Sequence, residues 1–333
     1  MRKAGNPFEE RQELQASDFE IFHSLDPSPI HVDSHSHSFC ELLVFLSGNV
    51  TYSVEGTAYR LRPGDVMLIG SGEIHRPIIG EGKPYERYVA WMSEECFRKT
   101  ERMGGDFDPE FCFRDSARRK LYLLRPESAL LQAIVQAFEK LTAVSEDRGE
   151  GRETLRNCTM GELLVCLNRA YLGTAHEMYE DIVSNEKVGE VISYINRNLC
   201  EPLTLDDLSA RFFIGKFYLT RLFERHTGLT LHQYIIKKRL TAARALLLQG
   251  CSAMEACVSC GFGDYSHFSR SFRKQYGLPP GKYGAQLSRP KSGDCSSRLN
   301  SSAMELVNGG RSTPDSVTMA EMSPASVTSK AGL

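Results

Sequence analysis

The spacing of hydrophobic positions changes three times along the chain, and each change predicts a different kind of structure. Between Phe19 and about Ser93, apolar residues fall in short runs rich in β-branched and aromatic side chains: Glu41–Gly48, Val50–Gly56, Thr57–Leu61, Asp65–Ile69 and Tyr85–Met92. Glycine or Pro-Gly punctuates most of the gaps, and no helical period intervenes. Such a series predicts an antiparallel sandwich or barrel. The period then becomes helical. Leu130, Leu131, Ile134, Val135, Phe138 and Leu141, then Leu155, Leu163, Leu164, Leu167 and Tyr171, mark the inner faces of two amphipathic helices joined by polar Ser145–Arg152. Residues 173–187 lose this period and read as a connection, and residues 188–287 are helical again. The polar residues 1–20 read as a mobile arm. Residues 291–333 are rich in Ser and Thr with few large apolar side chains, so they bury too little surface to fold alone and read as a disordered tail.

The third region contains an internal repeat at an offset of 49 residues. Phe213–Leu229 aligns with Phe262–Leu278, with Phe213/Phe262, Arg221/Arg270, Phe223/Phe272, Gly228/Gly277, Leu229/Leu278 and, beyond them, Tyr234/Tyr283 identical. A period of this length means one supersecondary unit used twice. Each copy reads as a short capped helix, a tight turn and a second helix closed by glycine. Thr204 and Ser252 cap the first helices, Asp264 caps one second helix, and Gly228 and Gly277 end both second helices. This is a helix-turn-helix pattern, whose second helix fits a major groove. Leu219, Leu222, Phe223, Phe268 and Phe272 face inward. The opposite faces present Lys216, Phe217, Thr220 and Arg221 in one copy and Tyr265, Ser266, Ser269, Arg270 and Arg273 in the other. Guanidinium, hydroxyl and aromatic groups suit base edges and thymine methyls. A helix over Leu231–Leu248 separates the two units.

Charge supports this reading. The net charge of −2 hides a split: residues 185–290 carry a net +7 and residues 1–184 a net −9, so one part is suited to a polyanion and the other is not. A length of 333 residues argues for about two domains, and 41% apolar with 25% charged residues excludes a fibrous or wholly disordered chain. No apolar run approaches the roughly 20 residues of a membrane span, and the N-terminal residues lack the apolar core of a secretion signal. Ten cysteines without dense spacing point to reduced thiols in a cytoplasm, with Cys257 and Cys260 as small buried side chains.

Residues 188–284 resemble the double helix-turn-helix domain of the AraC-type bacterial transcription regulators. The resemblance rests on Leu219-Thr-Arg-Leu-Phe223, Gly228, Arg239 with Ala242, Gly261-Phe262-Gly-Asp264, Phe268-Ser-Arg-Ser-Phe272, Gly277-Leu-Pro-Pro280 and Tyr283. It implies that Phe217, Thr220 and Arg221 read bases from the first recognition helix, and Tyr265, Ser266, Ser269 and Arg270 from the second. Gly215 departs from the family pattern by standing where a Ser or Asp cap is usual, and Cys257 and Cys260 replace more usual apolar residues.

In the front half, His35-Ser-His37 with Glu41 and, later, His75 form a second constellation. On a strand, His35 and His37 point to one face. The spacing resembles the two cupin motifs, with Gly70 in the usual Pro position and Ile79 in place of the usual Asn. Two uses stay open for His35, His37, Glu41 and His75: hydrogen bonding to a small effector such as a sugar, or holding a divalent metal. A purely structural role is the third.

The resulting expectation is an α+β multidomain protein. Residues 1–20 form the arm, 21–115 a cupin-like effector-binding barrel, 116–173 a helical hairpin suited to dimerisation, 174–187 a linker, 188–287 the double helix-turn-helix and 288–333 the tail. The expected function is a cytoplasmic, sequence-specific regulator, an activator controlled by a small molecule, with double-stranded DNA, RNA polymerase and a second copy of itself as partners. No catalysis, no membrane and no obligatory cofactor are expected. The rival is a metal-dependent cupin isomerase or dioxygenase with a helical appendage.

Overall fold

The computed structural model describes residues 14–174 and 182–287. Most of the expected arm, the expected tail and residues 175–181 of the expected linker lie outside the described residues.

Strands β1 (Phe19–Asp26), β2 (Cys40–Ser47), β3 (Val50–Val54), β4 (Thr57–Arg60), β5 (Val66–Ile69), β6 (His75–Ile79) and β7 (Tyr85–Met92) open the chain. Helices α1 (Glu94–Arg102) and α2 (Phe111–Arg119), strand β8 (Leu123–Leu124), helices α3 (Ser128–Glu146) and α4 (Arg152–Thr174), and strand β9 (Ile182–Val183) follow. The strands form two antiparallel sheets, ordered β1-β7-β2-β5-β8 and β6-β3-β4-β9.

Strand periodicity explains the packing. Along β2, Leu42 and Val44 point to one side with Val66, Leu68, Ala90 and Met92, against Ile134, Phe138, Leu163 and Leu167 of α3 and α4. Leu43 and Phe45 point to the other side with Met67, Ile69, Val89 and Trp91, against Tyr52, Val54 and Tyr59 of the second sheet. The central strand is covered on both faces, so it reads as a continuous apolar run rather than as alternation.

Several elements differ from the sequence expectation. β6 carries Pro77 and is an edge strand, where a missing N–H is tolerated. α1 and α2 bury only a few side chains each, leaving little period to read. Ile182–Val183, inside the expected linker, pairs with β4 and extends the second sheet.

Residues 14–20 are also not a free arm. Asp18 is buried, accepts hydrogen bonds from both guanidinium nitrogens of Arg156 (2.8 and 2.9 Å) and pairs with Lys99 (2.7 Å), while Arg156 lies over the Phe19 ring. Strand β1 is thereby tied to α1 and α4.

The second unit comprises α5 (Glu186–Arg197), α6 (Leu205–Phe212), α7 (Lys216–Thr227), α8 (Leu231–Leu248), α9 (Ala253–Ser259), α10 (Tyr265–Tyr276) and α11 (Pro280–Leu287). Its caps follow the sequence: Thr204, Thr230, Ser252 and Asp264 each accept a bond from the backbone N–H three residues on. α8 divides two cores. Its Tyr234 and Ile235 pack with Val191, Leu208, Leu219 and Phe223, and its Leu240, Ala243 and Leu247 with Cys257, Cys260, Phe268 and Phe272. Arg239 of α8 donates to three carbonyl oxygens, those of Leu199 (2.9 Å), Gly261 (2.7 Å) and Glu201 (2.8 Å), fixing both helix-turn-helix units to one rod.

Burial opposes charge on Asp18, but the hydrogen bonds from Arg156 and Lys99 outweigh it and hold the carboxyl well below its ordinary 3.8. A depressed carboxylate stabilises fully above its unfolded pKa and loses that contribution as pH falls below it. Asp18→Asn is therefore expected to cost about 2 kcal/mol at neutral pH. It should also flatten the loss of stability below about pH 4. Thermal melts of wild type and variant across that range check both.

Candidate functional site

The two recognition helices are built alike and exposed alike. Phe217 is 90% exposed, and Lys216, Arg221, Tyr265, Ser266, Arg270 and Arg273 are exposed, while Thr220 and Ser269 are half-buried between them. Each helix buries two aromatic or aliphatic anchors, Leu219 with Phe223 and Phe268 with Phe272. All nine residues singled out in the sequence thus lie on the outer faces. Lys216 pairs with Asp206 on α6 (2.6 Å), and the Arg270 Nε donates to the Ser266 carbonyl (3.2 Å). Gly215 precedes α7 without a side-chain cap, whereas the Asp264 carboxylate receives the His267 N–H.

The turns preceding these helices are not equivalent. In the first unit Phe213 takes the left-handed conformation (φ +54°) and one residue separates it from Gly215. In the second unit Gly261 takes that conformation (φ +76°) and two residues separate it from Asp264. The hydrogen bonds follow. Ile214 N–H reaches Ser209 as Phe262 N–H reaches Cys257, so Ile214, and not Phe213, matches Phe262. The identity of Phe213 with Phe262 in the 49-residue repeat is therefore not a structural match. Phe262 is buried, whereas Phe213 is 97% exposed. Only glycine fits at 261, because a Cβ there meets the Leu199 carbonyl oxygen at 2.6 Å. Position 213 has no such neighbour, and a large apolar side chain stands in a strained backbone beside α7. The sequence signal for it was a missing glycine at the turn.

In the β-domain, His35 and His75 are brought together by an isolated antiparallel bridge, with backbone bonds of 3.0 and 2.9 Å. The segment holding His35 and His37 is therefore not a regular strand, as alternation had suggested; the bridge and the loop to Phe39 place the rings. His37, Glu41 and His75 converge, with one ligand atom of each within 4.8 Å of the others, all three buried. His35 lies beside them, its ring 4.3 Å from that of His75, but outside this trio. Each imidazole is oriented by a backbone carbonyl: His35 Nδ1 on Asp33 (2.8 Å), His37 Nδ1 on Phe39 (2.8 Å) and His75 Nδ1 on Glu73 (2.9 Å). Glu41 accepts from the Tyr52 hydroxyl (3.0 Å) and the Trp91 indole N–H (2.9 Å), with His37 Nε2 at 3.3 Å. Burial pushes His35 down to about 4 and His75 well below its ordinary value. Burial opposes charge on Glu41, but the adjacent His37 keeps it below the usual carboxylate range.

The two parts of the molecule meet beside this cluster. The Val54-Glu55-Gly56-Thr57 hairpin has positive φ at both central residues, as a two-residue primed turn requires. Glu55 is nevertheless not glycine or asparagine, and its buried carboxylate accounts for it. The carboxylate accepts from the Ile74 N–H (2.7 Å) and the Tyr234 hydroxyl, and pairs with Lys238 (2.6 Å). Ile74 belongs to the core of α5, α7 and α8. Ser34 Oγ donates to the Thr227 carbonyl (2.6 Å) and Ser53 Oγ to the His226 carbonyl (3.1 Å), so the β-domain caps the C-terminal end of α7. None of these contacts was read from sequence.

Comparison with known proteins gives the family. A family model described as an AraC-like ligand binding domain matches residues 20–164, and a helix-turn-helix domain model matches residues 208–286. The chain belongs to the AraC-type transcription regulators. It is a DNA-binding regulator with a ligand-binding domain, and the enzyme alternative gains no support from these matches. The chain is similar to the HTH-type transcriptional activator RhaS of Salmonella typhimurium, 24% identical over 259 residues that cover 74% of this chain and 85% of the relative. Among solved structures it resembles ToxT from Vibrio cholerae (13% identity, 82% of this chain and 100% of that one, TM-score 0.34). An AraC-type DNA-binding domain from Chromobacterium violaceum is also similar (32% identity, 32% and 95%, TM-score 0.29). Among the described residues, no helix of this AraC-type chain is long and apolar enough to cross a membrane.

Two outcomes follow from this geometry. Phe213→Gly should stabilise the protein by about 1 kcal/mol by relieving a left-handed non-glycine residue, seen as a higher midpoint in denaturant. Glu55→Ala should separate the unfolding of the β-domain from that of the helical unit, turning one calorimetric peak into two, because the clamp between them loses its acceptor.

Proposed function

We propose that the chain is a sequence-specific transcription activator whose DNA-binding unit is controlled by an effector bound in the β-domain. The observation that carries this reading is the capping of α7 by Ser34 and Ser53. Ser34 adjoins His35, and Ser53 lies opposite Arg76, the neighbour of His75, in the β3–β6 pairing. A ligand that shifts the His35/His37/Glu41/His75 cluster therefore shifts groups that hold a recognition helix. Such a ligand changes DNA affinity by its differential affinity for two arrangements, typically about 1–3 kcal/mol of coupling. The similarity to RhaS, a transcriptional activator, supports the sign.

In this reading Arg221 and Arg270 are the principal base readers, each able to make a bidentate contact to guanine. Phe217, Thr220, Tyr265, Ser266 and Ser269 contribute apolar and hydroxyl contacts, and Lys216 and Arg273 meet phosphates. The apolar faces of α3 and α4 are packed on the β-domain, so a homodimer contact made by this hairpin uses its outer surfaces, where Leu155 and Leu172 are exposed. RNA polymerase is the further partner and the cytoplasm the compartment. The chain itself carries out no chemistry.

The test begins with binding of the full chain to a random-sequence DNA pool and selection of its site. Arg221→Ala and Arg270→Ala should each weaken the selected site by about 1–3 kcal/mol and relax preference at separate positions about one helical turn apart. Affinity for the selected site should fall with salt at a log–log slope near −0.9 per phosphate neutralised. Equal loss on all sequences would make both arginines phosphate contacts instead of readers.

A further inference from the structure

The β-domain cluster has a property that hydrogen bonding alone does not explain. A backbone carbonyl can only accept, so the Nδ1 atoms of His37 and His75, at 2.8 Å from Phe39 O and 2.9 Å from Glu73 O, must carry the protons. In the neutral imidazole each Nε2 then holds a bare lone pair. Both Nε2 atoms are fully buried and have no hydrogen-bond partner of good geometry among the described residues. His37 Nε2 lies 3.3 Å from Glu41 Oε2, so in the neutral tautomer a lone pair faces a carboxylate oxygen, and only a proton or a cation between the two atoms relieves that contact. That oxygen's position is fixed in turn by the Trp91 indole, and its partner oxygen by the Tyr52 hydroxyl. Three converging donors, each oriented from behind by a second hydrogen bond, leave unmatched negative potential in a buried place.

We propose that His37 Nε2, His75 Nε2 and a Glu41 carboxylate oxygen bind one divalent transition-metal ion of the Zn²⁺ class. Two imidazoles with one carboxylate suit borderline first-row cations and are a poor match for Mg²⁺ or Ca²⁺, which prefer all-oxygen shells. Donors about 2.0–2.2 Å from one ion lie roughly 3–4 Å apart, so the trio closes on a cation by small side-chain rotations. The enclosing rings are in place: Phe39 stacks on His37 at 3.9 Å and Tyr52 lies parallel to His75 at 6.1 Å. The proposal rests on the reading of this cluster as the ligand site of the β-domain, and assigns the class of ligand.

The chain contains a single tryptophan, and it donates to Glu41, so the site carries its own reporter. Full-length protein stripped with chelator is titrated with Co²⁺, then with Zn²⁺ and with Mg²⁺ as a control. Expected are saturable quenching of Trp91 fluorescence at one equivalent of Co²⁺, visible ligand-field bands, displacement by Zn²⁺ and no response to Mg²⁺. Glu41→Gln, which preserves shape and one acceptor, should weaken Co²⁺ binding by about 100-fold or more, and His75→Ala should abolish the bands. Circular dichroism and binding to the selected DNA are measured on the same samples. Folded wild-type protein that takes up no Co²⁺, or variants that bind it as wild type does, would overturn the metal assignment. Failure of stripped and loaded protein alike to bind any DNA specifically would instead strike the regulator reading, so the two failures are distinguishable. Should a variant not fold, metal content of purified wild-type protein after dialysis decides: one equivalent of Zn²⁺-class metal supports the site, and none overturns it.

Discussion

The buried carboxylate of Glu55 is the joint on which the arrangement of the molecule depends. A single side chain, held in a strained left-handed turn, satisfies an N–H of its own domain and receives a hydroxyl and an ammonium from α8. Such a group is costly to bury unless every partner is present. The clamp therefore works as a logical conjunction: the hairpin, the Ile74 segment and α8 are all in register or the charge is unpaired. Because α8 also carries Arg239, which grips carbonyls of the α5–α6 connection and of the turn in the second helix-turn-helix, the register set at Glu55 reaches the whole helical unit.

Much of this architecture was legible in the chain. Helix boundaries around the repeat were written in Thr204, Ser252, Asp264, Gly228 and Gly277, because capping is a local matter of one side chain and the next three backbone groups. The central strands were legible for a similar reason. What escaped was whatever depends on partners far away in sequence. β6 was hidden by a proline that only an edge position permits, and β9 is two residues long, too short for any period. Glu55 stood without a signal of its own inside the Val50–Gly56 run, because the tyrosine and lysine that give it a purpose lie about 180 positions further on.

The candidate site divides along the same line. Outer faces of α7 and α10 follow from helical spacing alone. The histidine cluster was identifiable by residue type, but its geometry came from a bridge between the His35 segment, which alternation had placed on a strand face, and the His75 segment, which had not been read as a strand. The repeat taught a further lesson. An identity of sequence at Phe213 and Phe262 suggested an equivalence that one extra residue in the second turn removes. Backbone hydrogen bonds, and not letters, decide which residues correspond.

The two recognition helices are alike in their exposed outer faces but unlike in how they are held. α7 is capped by serines of another domain, whereas α10 packs on α8, α9 and α11 of its own unit. Substitutions on α10 are thus judged by selection for their fit to DNA, while those toward the end of α7 are judged also for their fit to the β-domain. On the proposed reading, the half of the operator met by α10 is free to drift with that helix over evolutionary time, and the half met by α7 is anchored by the contacts that hold it to the β-domain. Binding sites of diverging descendants should share one conserved half and differ in the other.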